Sequence, residues 1–72
     1  MEITKNAMEN MMGIYVDHKK MMIKYEDEYG FDELQDNANY MFHKGCCGTA
    51  ENWIRAAGVS PQCNFITEKL YG

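Results

Sequence analysis

A 3-4 spacing of large apolar side chains runs through the first third of this 72-residue chain, and it constrains the fold more than any other feature. Met8, Met11, Tyr15, Met22, Tyr25 and Tyr29 recur at helical intervals, and His18 fills the one remaining place. Met12, Val16 and Ile23 widen the apolar face, while Glu9, Asp17, Lys20 and Lys24 fall toward the other side. With Gly30 as its stop, the pattern predicts a single helix of about 25 residues from Thr4 to Tyr29. That is too long for the remaining chain to cover completely. Part of its Met and Tyr stripe is therefore expected to meet a second chain.

The rest of the sequence reads as three shorter helices. Asp32 is a natural N-cap for a pattern through Leu34, Ala38, Met41 and Phe42 that closes at Gly45, with His43 and Lys44 placed to complement the last carbonyls. Thr49 is expected to cap a third helix through Ala57, closed by Gly58, and Ser60-Pro61 to open a fourth that reaches Leu70. Nowhere do polar and apolar residues alternate for long enough to suggest a strand. The expected fold class is all-α, a small helical bundle. One domain spans residues 1–72, with the long amphipathic N-terminal helix packed on three shorter ones.

A chain of this length buries only ~60–65% of the surface its unfolded form exposes, so a disulfide, a metal or self-association is expected to supplement the core. No run of residues is apolar enough to span a membrane, and the N-terminus lacks the order of a signal peptide, which points to the cytoplasm. There, three cysteines are expected to be reduced. Self-association is the remaining staple. The net charge of −4 is unevenly placed, with −5 on residues 1–39 and +1 on residues 40–72. Acidity of this kind disfavours nucleic acid and favours a protein partner with a basic surface.

The segment from Thr49 to Leu70, two short helical patterns around Gly58, resembles a helix-turn-helix. That resemblance implies a DNA-binding regulator using residues 49–70. Of the places where the motif carries small or apolar residues, here Ile54, Val59, Asn64 and Thr67, only Val59 fits the pattern. The apolar stripe of the last helix instead passes through Cys63, Ile66 and Leu70, with Phe65 beside it. Gln62, Asn64, Glu68 and Lys69 would then face outward, a set with few of the bases that phosphate contacts require.

Three other chemistries have candidate residues in the chain. His43, Cys46, Cys47 and Cys63 are the concentration of soft ligands, with His18 or a water as the fourth ligand to a His43, Cys46 and Cys63 set, but adjacent cysteines point apart and the spacing fits no zinc pattern. Cys47 just before the Thr49 helix, with His43 one turn back, suggests an activated thiol; no further acid is placed to orient the histidine. Residues 26–36 hold six acids and no base, but an EF-hand register puts Tyr25 and Tyr29 where calcium needs carboxylates.

The expectation is therefore a non-enzymatic module with no catalytic residue, no cofactor and no metal. Its function would be to bind and modulate or inhibit a larger protein, as a phage or mobile-element inhibitor of a host DNA-handling or defence enzyme does. Partner binding is expected at Tyr25, Glu26, Asp27, Glu28, Tyr29, Asp32, Glu33, Asp36 and Tyr40, the acids steering approach and the tyrosines anchoring. A homodimer seam, antiparallel or crossed, is expected along Met8, Met11, Met12, Tyr15, His18 and Met22. Trp53 is expected to anchor the core with Ile54.

Overall fold

The computed structural model describes residues 4–72, and among them there are four helices and no strand: α1 (Lys5–Glu28), α2 (Phe31–Gln35), α3 (Ala38–Ala56) and α4 (Asn64–Tyr71). Helix α1 matches its 3-4 pattern. The Thr4 hydroxyl accepts the Ala7 N–H at 3.1 Å to cap its start. At the other end the backbone turns extended at Tyr29 and Gly30.

The second and third helices divide differently from the sequence expectation. Asp32 lies in the first turn of α2 rather than at its cap, and α2 ends after only five residues. Asn37 then caps α3 by accepting the Tyr40 N–H on its side-chain oxygen at 3.0 Å. Helix α3 continues through Gly45, Cys46, Cys47 and Gly48, where a break was expected. Each interior glycine costs about 1 kcal/mol relative to alanine. That cost is outweighed because the unbroken helix aligns Tyr40, Cys47, Ala50 and Ile54, all buried, along the length of α1. Thr49 caps nothing. Its hydroxyl donates back to the Gly45 carbonyl at 3.1 Å.

Gly58 does stop α3. At φ 87° it occupies the left-handed region, and the Val59 and Gly58 N–H groups donate to the carbonyls of Ile54 and Arg55, each at 2.9 Å. Ser60 and Pro61 form a turn rather than a helix start: the Gln62 N–H donates to the Ser60 hydroxyl and the Cys63 N–H to the Ser60 carbonyl, both at 3.1 Å. Helix α4 begins three residues beyond Pro61, with Cys63 at its N-cap.

Helices α1 and α3 run antiparallel. Their register is marked by three cross-links: the Cys47 thiol donating to the Tyr15 carbonyl at 3.7 Å, His18 beside His43, and Tyr40 bonded to Glu26. Helix α4 crosses one side of α1, with Phe65 and Lys69 alongside Gly13, Val16, Asp17 and Lys20. The core is built around α1, which packs against both α3 and α4, and Ile54 and Ile66 within it are wholly buried. Trp53 is 39% exposed instead of anchoring that core. Consecutive helical residues are turned by about 100° from each other, so with Ile54 pointing inward its neighbour is directed away.

Candidate interaction surface

Of the expected seam residues, Met12, Tyr15 and Met22 are spent inside the chain. They are 7, 8 and 7% exposed and pack in its own core, so they have almost no surface left to offer a second copy. The reason is the uninterrupted α3, which covers this face of α1 for five turns. Met8, Met11 and His18 are half-buried at the margins.

The acids of residues 26–36 converge on one corner of the molecule. Glu26, Asp27 and Glu28 close α1, Asp32 and Glu33 occupy the first turn of α2, and Asp36 follows its end, all of them exposed. Among the described residues the one ion pair joins Arg55 to Glu51 at 3.0 Å, so none of these six acids has a cation against it. Asp32 and Glu33 sit favourably at a helix N-terminus, whereas Asp27 and Glu28 face the negative end of α1. Between the two sets project Phe31, 76% exposed, and Tyr29, 41% exposed. Phe31 opens α2, a helix of only five residues, and its ring stays at the surface.

Behind this corner lies an aromatic cluster. Tyr25 stacks on Tyr29 at 6.1 Å and on His43 at 6.2 Å, and meets Tyr40 edge-on at 6.5 Å between ring centroids. Tyr40, expected to anchor a partner, is instead 7% exposed, and its hydroxyl donates to Glu26 at 2.9 Å. Its ring is buried against α1 because α3 presents that position inward. Burial, and then the bond to the Glu26 carboxylate, push the Tyr40 hydroxyl above its ordinary pKa; burial does the same for Tyr15 and for the Cys47 thiol. Groups raised in this way stabilise the fold below their unfolded pKa values, near 9 for the thiol and 10 for the phenols, and that stability is lost as pH rises through the folded values. Stability measured by urea titration is accordingly expected to fall above about pH 9. Tyr40→Phe should lower it by about 1 kcal/mol at neutral pH and flatten part of the alkaline decline. An unchanged alkaline slope in that variant would remove Tyr40 from the account.

His18 and His43 bring their Nδ1 atoms to 2.8 Å, one nitrogen donating and the other accepting. Among the described residues no group of three His, Cys, Asp or Glu side chains is arranged to hold a metal ion. Cys47 does not precede a helix as expected. It is buried in the middle of α3, and all three cysteines are free thiols. A raised pKa deprives it of the thiolate a nucleophile needs.

The region resembling a helix-turn-helix has residues 57–63 between α3 and α4, where the motif uses a turn of three or four. Its bases are also engaged: the Arg55 guanidinium holds Glu51, and the Lys69 ammonium sits 5.0 Å from the centre of the Phe65 ring.

A second surface was not found from the sequence. Met11, Ile14 and His18 of α1 and Met41, Phe42, Gly45, Cys46, Thr49 and Ala50 of α3 line an open groove of about 570 Å³ on the side of the layer away from α4. Phe42 is 62% exposed there. The expected break at Gly45 concealed it, because the outward stripe exists only if α3 is continuous. No helix among the described residues is long and apolar enough to cross a membrane. In comparisons with known proteins no family model matches this chain, and neither does any curated protein or solved structure.

Proposed function

We propose that this chain is a cytoplasmic, non-enzymatic protein-binding module that modulates a larger protein through the acidic corner at residues 26–36. The observation that carries the reading is the pairing of six exposed acids, none held by a cation among the described residues, with the projecting rings of Phe31 and Tyr29. Unpaired acids of one sign raise the rate at which a basic surface arrives. Aromatic side chains at the same place provide the contact area that retains it, since interface energy concentrates in a few large residues. Inhibition of a nucleic-acid-handling enzyme fits this chemistry, because such an enzyme carries a basic groove that an acidic corner can occupy.

The contact set differs from the sequence expectation in two places. Phe31 joins it, and Tyr40 contributes by fixing Glu26 rather than by touching the partner. The experiment is affinity capture by the tagged protein from lysate of its native host, run with and without nuclease, with Phe31→Ala alongside. A single prominent protein, captured by the wild type and lost at least tenfold in the variant, supports the reading. A DNA-reading module remains the second arm of the same experiment. Capture of many proteins that nuclease abolishes, together with duplex binding at ~50 mM salt, would replace the proposal.

A further inference from the structure

We infer that the open face formed by α1 and α3 is the seam of a homodimer, in which two copies stack these helices into a four-helix arrangement. The molecule is thin. Its Cα trace measures 41 × 26 × 15 Å, and the short dimension is the depth of only two packed helices. Helix α4 packs on α1 from one side, and the groove between α1 and α3 has no second layer over it of the kind that domains are built from.

The residues on that uncovered side form a second periodic pattern. On α1, Ala7, Met11, Ile14, His18, Met21 and Tyr25 follow a 4-3 alternation, offset by one position from most of the stripe that packs inside the chain. On α3, Ala38, Phe42, Gly45, Thr49, Asn52 and Ala56 do the same, and every one of these six is exposed. None of the twelve is charged, in a chain where a quarter of the residues are. Such spacing is what lets helices pack at a shallow angle in coiled coils and four-helix bundles.

The occupant that fits is another copy of this chain. Each copy carries a net charge of −4, with its acids gathered at the 26–36 corner, so two copies approach with least repulsion through a face without charge. A basic partner would gain nothing there. The face also sets a large ring beside a bare stretch of helix: Phe42 is exposed, and one turn along α3 the exposed Gly45 has open space over it. A two-fold operation can set the Phe42 ring of each copy over the small Gly45 and Thr49 of the other. A layer of two helices as long as α3 presents a footprint of roughly 28 × 20 Å, or about 1,100 Å² over both copies, just above the ~1,000 Å² expected of a specific interface. An interface of this size lies at the low end of the range, among the weaker associations.

This inference rests on other observations than the acidic corner and shares only Tyr25 with it. The test is sedimentation equilibrium of the full chain under reducing conditions, so that Cys46 in the groove cannot cross-link copies, with Phe42→Glu and Gly45→Glu as variants. Glutamate is accommodated at both positions in a single copy, since Phe42 is exposed, the space at Gly45 is empty, and glutamate is a better helix former than glycine. The wild type is expected to rise with concentration from 8.4 kDa toward twice that mass, and both variants to stay at 8.4 kDa with melting temperatures no lower than the wild type's monomeric form. Asp27→Lys with Glu28→Lys should leave self-association unchanged. A wild type that remains at 8.4 kDa at ~500 μM overturns the inference, as does a dimer that persists in either glutamate variant.

Discussion

Replacing Ile66 with alanine is expected to remove most of the stability of this protein. The side chain is wholly buried in the core cluster, on the helix that packs against α1, so the truncation leaves a cavity that a small core cannot collapse around. Losses of this kind run to about 2–5 kcal/mol, and a domain of this size has only ~3–5 kcal/mol in total from its core. The melting temperature followed by circular dichroism should drop by roughly 10–30 °C. Ile14→Ala is the matched control. That residue is 45% exposed, and its truncation should change monomer stability by less than about 1 kcal/mol. Similar effects for the two would mean that α4 does not close the core.

The second large effect separates function from folding. Reversing Asp27 and Glu28 to lysine removes two acids from the negative end of α1 and supplies the positive charge that end favours, a gain of a few tenths of a kcal/mol for each position. Glu26 is left in place because it receives the Tyr40 hydroxyl, and disturbing it would mix packing with charge. The variant should therefore fold at least as well as the wild type. Partner capture, by contrast, should fall by at least tenfold, since the field at the corner is weakened by four charge units and two of the contacts become repulsive. Acids held at a place where they weaken the helix are explained if their role lies outside the fold.

How much of this was legible in the sequence depended on whether local or distant contacts decide each element. Helix α1 was readable because its 3-4 stripe, Thr4 cap and Gly30 stop agree with one another. The acidic corner was readable because exposure follows from six charges without a base. Helix α3 was not. Gly45, Cys46, Cys47 and Gly48 are poor helix formers, and only packing of Cys47 and Ala50 on α1 carries the helix through them. Everything that rests on that continuity was hidden as well: the burial of Tyr40, the exposure of Trp53 and Phe42, and the second stripe through Gly45 and Thr49. The seam expected along Met12, Tyr15 and Met22 illustrates the same point, since a single helix shows an apolar face without showing which neighbour covers it. Ser60-Pro61 misled for a local reason, because the serine hydroxyl caps a turn as readily as a helix.

The measurement that tests the central claim most directly is side-by-side capture from one nuclease-treated lysate by the wild type and by the Asp27→Lys, Glu28→Lys variant, after their melting temperatures have been compared. A protein retained by the wild type and lost by a variant of equal or greater stability is the predicted result. Equal capture by both would contradict it, and would show that the acidic corner is not how this chain meets its partner.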